Sequence, residues 1–238
     1  MRSCVMAFTS TPVSEDIPRL IPQHDDSSVE RAVDTIRSGG ILLYPTDTIY
    51  GLGCDPFNTQ ALDRLYALKR RHKSKKPVLI ASSVEMVERF AHMDARAHAL
   101  AEAFWWNGIA DTAPHAGAVS LVLPRREGTL TTFFIHEPSI VFRVPAHPWC
   151  RALIDAFDQP VVSTSANLSN HDTEDTPKAI LAQFGDTAKE IGLVIDGGCA
   201  QNILPSTLVS LKEPDSWQIL RQGTVSKEDI ERVINGSV

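Results

Sequence analysis

The spacing of apolar residues predicts helices that alternate with short buried strands along most of the chain. Apolar residues recur at helical spacing from Val29 to Ile36, and Gly39 with Gly40 ends that pattern. Ile41–Tyr44 follows as an uninterrupted apolar run, which predicts a buried strand. The sequence therefore begins its regular pattern with a helix that leads into a strand.

The same analysis predicts elements up to the end of the chain. Further helices are predicted at 59–70, 84–91, 95–106, 149–157, 176–184 and 227–234. Further strands are predicted at 77–81, 118–123, 140–144, 160–163, 193–195, 207–211 and 217–220. Interleaved helices and strands indicate an α/β fold, in which helices cover a twisted sheet. Several strands after residue 190 lie too close together for helical crossovers, so we expect a mixed sheet.

Residues 1–20 contain Pro12 and Pro18 and show no periodicity, which predicts a flexible N-terminal lead-in. We expect residues 21–238 to form one domain. The hydrophobic content of 43% and the charged content of 22% are typical of a globular protein and exclude collagen-like, disordered and membrane classes. No apolar run approaches the roughly 20 residues that a membrane-spanning helix needs, so we expect a cytoplasmic protein. The four cysteines lack metal-ligand spacing, and no metal site is predicted.

A basic stretch at residues 69–76 holds six of the 23 Lys and Arg residues, although the net charge of the chain is −6. The dipole of the preceding helix favours cations at its end, but one or two would suffice. An Arg fork and a Lys ammonium both suit phosphate oxygens, which makes Lys69 and Arg71 candidates for an anion site. A solvated basic loop is the alternative. The negative net charge argues against a broad nucleic-acid-binding face.

A cluster of hydroxyl and amide groups follows the predicted strand at 160–163. Ser163, Ser165 and Asn167 have side chains that donate hydrogen bonds in turns and can surround an anion. Ligands of open α/β sheets bind at the carboxyl ends of strands, where these residues lie. An ordinary capped turn is the competing interpretation. The chain has no P-loop, no dinucleotide fingerprint and no G-x-S-x-G elbow, so a hydrolase built on Ser165 is disfavoured.

Several motifs, in one order along the chain, carry a resemblance to a known family. They are Y-P-T-D-T-I-Y-G-L-G from Tyr44, K-x-R at Lys69 and Arg71, R-V-P-x-H-P from Arg143, S-x-N at Ser165 and Asn167, D-G-G from Asp196 and P-S-T from Pro205. With these motifs the chain resembles the YrdC-like family from about Val29 to Gly223. The principal members of that family are threonylcarbamoyl-AMP synthases.

The resemblance implies a nucleotidyltransferase that joins L-threonine, bicarbonate and ATP into threonylcarbamoyl-AMP and pyrophosphate. The product would serve the threonylcarbamoyladenosine modification of tRNA, with tRNA or the tRNA-modifying transferase complex as a partner. ATP would be a substrate, and Mg²⁺ would be carried by the nucleotide. Charge builds on phosphoryl oxygens in such a reaction, so positioned cations and the metal would supply most of the catalysis.

The resemblance also implies roles for eleven residues. The catalytic set would be Lys69, Arg71, Ser165 and Asn167, which hold phosphate, carbamate or carboxylate oxygens. Thr48, Arg143 and Ser163 would bind the threonine substrate. Lys75, Ser120, Thr173 and Arg221 would contact the nucleotide.

Two other interpretations stay open. The segment 105–118 departs from the family's usual W-P-G-P-L-T sequence, and residues 202–204 replace the usual glycines, which would suit a non-catalytic YrdC-like module that binds RNA or nucleotide. Carbamoyl transfer in metalloenzyme maturation uses similar domains inside longer chains. The absence of zinc-finger-like or kinase-like regions from this sequence argues against that third interpretation.

Overall fold

The computed structural model describes residues 18–105, 115–131, 134, 136–200 and 204–236. Within these residues the chain forms ten strands and seven α-helices. The strands are β1 Arg19–Pro22, β2 Ile41–Tyr44, β3 Gly51–Cys54, β4 Val78–Ile80, β5 Val119–Pro124, β6 Ser139–Arg143, β7 Val161–Ser165, β8 Ile191–Asp196, β9 Thr207–Ser210 and β10 Gln218–Arg221. The helices are α1 Ser28–Arg37, α2 Thr59–Leu68, α3 Val84–Glu88, α4 Ala95–Phe104, α5 Pro148–Phe157, α6 Pro177–Phe184 and α7 Lys227–Ile234.

All ten strands join one sheet in the order β1-β8-β2-β3-β7-β4-β6-β5-β9-β10. Strand β8 runs parallel to both β1 and β2, whereas β3 and β7 run antiparallel to their neighbours at the centre of the sheet. Helices α1 and α5 pack against each other, as do α4 and α7. The predicted α/β fold with a single mixed sheet covered by helices is confirmed.

Two strands of the sheet were not predicted from the sequence. Strand β1 begins at Arg19, inside the predicted lead-in, and pairs with β8 although only Ile21 is buried. The lead-in itself falls largely on residues 1–17, which lie outside the described residues. Strand β3 was not among the predicted strands. Its Gly53 lies so close to β7 that a Cβ there would be 2.5 Å from the carbonyl oxygen of Val162.

The end of α2 explains how the basic stretch leaves the helix. The amide of Arg71 donates to the carbonyl of Tyr66, and the amide of Arg70 donates to that of Ala67, which together form a Schellman motif. Arg70 adopts the left-handed conformation that this motif requires, with φ of 49°. The chain therefore turns sharply between Lys69 and Arg71, so the side chains of these two residues can leave the end of α2 in different directions.

Candidate active site

A cleft of 340 Å³ lies over one face of the central strands. Side chains alternate between the two faces of a strand, so residues two apart share a face. Val78 and Ile80 of β4 reach the cleft in this way, as do Val141 and Arg143 of β6. The strand register pairs Ile80 with Arg143 and Val78 with Ser163, so strands β4, β6 and β7 lie side by side beneath the cleft.

Nine of the eleven predicted site residues line this cleft. They are Thr48, Arg71, Ser120, Arg143, Ser163, Ser165, Asn167, Thr173 and Arg221. Lys69 and Lys75 do not line it, and their expected contacts with phosphate and nucleotide stay predictions. Lys69 is buried behind the cleft wall, and Lys75 is exposed, with its ammonium 3.3 Å from Asn170 Oδ1.

The basic stretch at residues 69–76 and the hydroxyl cluster at residues 163–167 meet in the fold. The ammonium of Lys69 donates to the carbonyl oxygens of Ser165 and Asn167, the second at 2.7 Å. The Oγ of Ser165 donates to Asn167 Oδ1 at 2.6 Å. Burial, and then the nearby charge of Arg71, lower the pKa of Lys69 to about 7. The turn after β7 is thus tied directly to the end of α2.

Arg71 is the residue of the basic segment that enters the cleft. Its Nε donates to the carbonyl of Lys75 at 3.0 Å, and its Nη2 donates to that of Lys76 at 2.9 Å. Its Nη1 lies 3.4 Å from Thr164 Oγ1, and the guanidinium stacks near the ring of Tyr66. These partners are neutral oxygens and a ring, so the fork is oriented while its positive charge stays available for an anion.

Arg143 forms the opposite wall together with the connection between β2 and β3. Its Nη2 lies 2.5 Å from Asp47 Oδ1, its Nη1 donates to Thr48 Oγ1 at 2.9 Å, and its Nε donates to the carbonyl of Gly117. The hydroxyl of Thr48 also lies 3.1 Å from that of Thr46. This arrangement presents a neutralised, well-oriented set of hydrogen-bonding groups, which suits a small polar substrate.

Arg221, a second arginine that hydrogen-bonds to a neutral oxygen, lies at the far end of the cleft. Arg221 on β10 donates from Nε and Nη2 to the carbonyl of Ser206, and Ser206 Oγ lies 2.8 Å from Ser120 Oγ. Part of Arg221 is exposed at the sheet edge, but its guanidinium is partly buried. That burial, with Arg143 and Arg71 nearby, lowers the pKa of Arg221. The guanidinium groups of Arg71 and Arg221, which hydrogen-bond to neutral oxygens, therefore converge on one cleft, which favours a polyanionic ligand.

The rest of the basic stretch is partly neutralised. Lys73 pairs with Asp63 at 2.5 Å, and Lys76 pairs with Glu137 at 2.6 Å. The positive charges of residues 69–76 are thus divided: Arg71 enters the cleft, Lys69 is buried behind its wall, and Lys73 and Lys76 form local ion pairs. This division supports a local anion site over a broad basic surface.

Five polar residues that line the cleft, and one residue that supports them, were not predicted from the sequence. Asp47 lies beside Thr48 in the Y-P-T-D-T-I-Y-G-L-G motif. A carboxylate next to a predicted substrate-binding residue could have indicated an ion-pair partner for Arg143. Ser206 was quoted only as part of a motif. The polar lining residues that were not predicted are Thr46, Tyr50, Lys76, Thr164 and Ser206. Their roles depend on strand pairing and packing, which local sequence does not reveal.

Two segments that depart from the family pattern fall mainly on residues 106–114 and 201–203, outside the described residues. Within the described part of the chain, no three His, Cys, Asp or Glu side chains are grouped so as to hold a metal ion. Among the same residues, no helix has the length and apolarity needed to cross a bilayer.

Comparisons with known proteins agree with this geometry. A protein named threonylcarbamoyl-AMP synthase from Aliivibrio fischeri is 34% identical over 196 residues, which covers 82% of this chain and 99% of the relative. A protein of the same name from Methylococcus capsulatus is 40% identical over 153 residues, which covers 64% of this chain and 77% of that relative.

A solved structure of P. abyssi Sua5 complexed with L-threonine superposes with a TM-score of 0.77 at 27% identity. The match covers 92% of this chain but only 60% of the P. abyssi chain. The family model of Sua5, YciO and YrdC, which carries the description telomere recombination, matches residues 34–223. Because that match spans well over half of its length, the chain belongs to the Sua5/YciO/YrdC family.

Proposed function

We propose that this protein is a threonylcarbamoyl-AMP synthase, which makes threonylcarbamoyl-AMP and pyrophosphate from L-threonine, bicarbonate and ATP. The observation that carries the proposal is the convergence of Arg71, Arg143 and Arg221 on one cleft lined with hydroxyl groups. The curated relatives of the same name and the threonine complex of P. abyssi Sua5 support it.

The chemistry of the proposed reaction matches the distribution of charge in the cleft. The amino nitrogen of threonine adds to CO₂ derived from bicarbonate, with loss of water and a proton, and gives a carbamate. A carbamate oxygen then attacks the α-phosphorus of ATP, and the bond to the leaving pyrophosphate breaks. Negative charge grows on phosphoryl oxygens in this step, so fixed cations stabilise the transition state more than the ground state.

The two ends of the cleft suit the two larger substrates. Arg71, with Ser165 and Asn167 on the facing turn, would hold the phosphates, and Arg221 would contact the nucleotide from β10. Ser120 and Thr173 line the same space. Arg71 and Arg221 donate hydrogen bonds to carbonyl oxygens, which do not cancel their positive charges. Both guanidinium groups can therefore complement the negative charge of the triphosphate.

The wall formed by the Thr46–Thr48 turn suits the amino acid. Thr48, Arg143 and Ser163 present hydroxyl and guanidinium donors close together. Asp47 already neutralises Arg143, so this wall offers directional hydrogen bonds rather than a net charge. Such a site fits an amino acid with a hydroxyl side chain, because hydroxyl groups both donate and accept hydrogen bonds and a guanidinium group donates to a carboxylate.

The remaining partners follow from the chemistry of the product. Mg²⁺ would enter bound to the triphosphate and share in neutralising its charge. The mixed anhydride in threonylcarbamoyl-AMP is reactive, so a transferase that modifies tRNA would consume it. We place the reaction in the cytoplasm, where ATP, threonine and tRNA occur together.

The test is release of pyrophosphate by the purified protein. We expect release to require threonine, bicarbonate, ATP and Mg²⁺ together, and Arg71→Ala to lower kcat/KM by about 100-fold, or about 2.7 kcal/mol. Lys73→Ala removes a nearby cation that pairs with Asp63 on α2 and serves as the control. Threonine-independent release would contradict the proposal. Nucleotide or RNA binding without any release would favour the non-catalytic module.

A further inference from the structure

Lys69 has an unusual setting for a lysine in a basic stretch. Its side chain is only 1% exposed, whereas Lys73 and Lys75 on the same stretch are exposed. Its ammonium contacts three oxygens of the turn that follows β7. They are the carbonyl oxygens of Ser165 and Asn167, the latter at 2.7 Å, and Asn167 Oδ1 at 3.3 Å. An ammonium has three protons, so this set matches its donor capacity.

The backbone of Lys69 is tied to the same turn. Its carbonyl oxygen accepts a hydrogen bond from the amide of Ser169 at 2.9 Å. On the other side of the turn, the Nδ2 of Asn167 donates to the carbonyl of His171, and the Oγ of Ser165 donates to Asn167 Oδ1. The turn therefore surrounds one buried cation, and its own side chains interlock around the same point.

We infer that Lys69 is a positioning residue, whose ammonium group holds the Ser165–Asn167 turn in shape so that Ser165 Oγ and the Asn167 side chain face the cleft. Of the K-x-R pair, Arg71 alone contacts the phosphates. This inference rests on the proposed function only in taking the cleft as the nucleotide site. It reassigns the residue that sequence reasoning expected to grip a phosphate directly.

Burial and hydrogen bonding both favour this role. A lysine that gripped a phosphate would need at least one proton directed into the cleft, but Lys69 does not line the cleft and its contacts are to turn oxygens. Without the ammonium, two carbonyl oxygens and an amide oxygen would point at one another across a dry space. Such oxygens repel and must turn away or recruit water, which moves Ser165 and Asn167 with them.

Amide hydrogen exchange tests the inference without relying on turnover. Lys69→Ala should speed exchange in peptides covering residues 163–171, while peptides from β2 and β8 keep their protection. Propylammonium supplies the atoms that the substitution removes, so it should restore protection in the same peptides. Propanol, which has no charge, and the variant Lys73→Ala are the controls, and neither should change exchange there. Unchanged exchange at residues 163–171 in Lys69→Ala would overturn the inference.

Turnover then separates positioning from direct contact. We expect Lys69→Ala to lower kcat/KM for ATP by about 100-fold, since a displacement of about 1 Å in a binding group has that effect. Propylammonium should raise the rate saturably, over the concentration range in which it restores protection. Rescue of turnover without restored protection would indicate a direct contact and contradict the inference.

A double-mutant cycle gives an independent readout. If Lys69 acts through the turn, its removal should cost little once Asn167→Ala has already disrupted that turn. A direct phosphate contact would instead give the full loss in both backgrounds. Lys69→Met keeps the aliphatic stem and replaces Lys69→Ala in the cycle if the alanine variant does not fold. Failure of the wild-type protein to release pyrophosphate would refute the proposed function, yet leave the exchange result to decide the role of Lys69.

Discussion

Asp47 and Arg143 form a largely buried ion pair in the wall of the cleft, with Asp47 Oδ1 2.5 Å from Arg143 Nη2. Asp47 lies in the connection between β2 and β3, and Arg143 ends β6, so the pair joins two separate parts of the sheet. The same guanidinium donates to Thr48 Oγ1. The orientation of Thr48 in the cleft thus depends on a carboxylate beside it in the sequence.

Asp47→Ala should destabilise the protein by about 3 kcal/mol, because it leaves the buried charge of Arg143 without a counterion. Replacing both partners, as Asp47→Ala with Arg143→Met, should cost less than Asp47→Ala alone. Urea unfolding of the two single variants and the double variant measures this coupling. Losses that simply add would show that the two side chains do not interact.

Gly117 lies where a larger residue would break this ion pair. Its φ is +76°, and a Cβ there would collide with Asp47 Oδ2 and with the amide nitrogen of Ala146. Gly117→Ala should therefore reduce both stability and turnover. Gly128→Ala is a matched control, because Gly128 has φ of +75° but no atom within 4 Å of the added Cβ. Equal losses in the two variants would assign the effect to backbone strain alone.

Thr48 and Arg221 should affect different substrates, because they lie at different ends of the cleft. Thr48→Val keeps the side-chain shape but removes the acceptor of Arg143, and we expect KM for threonine to rise about tenfold, or about 1.4 kcal/mol. Arg221→Ala should instead raise KM for ATP and leave KM for threonine unchanged. Initial rates at varied concentrations of each substrate test this division. If either variant raised KM for threonine and KM for ATP equally, the assignment of Thr48 and Arg221 to different ends of the cleft would be wrong.

The sequence predicted the helices and most strands because their apolar residues are patterned and abundant. Strand β3 escaped notice because Gly51 and Gly53 have low strand propensity and no side chain to show a pattern. Gly53 is needed there since the ring of Tyr44 and the carbonyl of Val162 lie against it. Its strand conformation is set by neighbours that are distant in sequence.

The residues of the candidate site were likewise predicted only in part. Residue types alone indicated Arg71, Ser163, Ser165 and Asn167, because hydroxyl and amide groups at strand ends and cations nearby are typical of anion sites. The family resemblance supplied the other five predicted residues that line the cleft. The burial of Lys69 could not be predicted, since six similar charges in eight residues give no sign of which one faces inward. Only the tertiary contact between α2 and the turn after β7 decides that.

Arg70 offers a stabilising substitution next to the site. It occupies the left-handed position of the Schellman motif with φ of 49°, where glycine avoids the strain of a Cβ. Arg70→Gly should raise the free energy of unfolding by about 0.5 kcal/mol, after allowance for the greater entropy of glycine in the unfolded chain. Arg70→Ala removes the same charge and keeps the Cβ, so it should not stabilise. Thermal and urea unfolding decide between these outcomes, and a gain in both variants would point to charge repulsion instead.

The buried ammonium of Lys69 should make stability depend on pH. Its pKa in the folded protein is about 7, against 10.5 for an ordinary lysine, so the unfolded chain binds more protons between these values. The free energy of unfolding therefore contains a contribution that rises with pH above about 7, by at most about 1.4 kcal/mol per pH unit. Lys69→Met has no such group. The free energy of unfolding of the wild type should therefore rise relative to that of the variant between pH 6.5 and 8.5. Urea unfolding across that interval measures the slope, and parallel pH profiles would mean that Lys69 keeps its ordinary pKa in the fold.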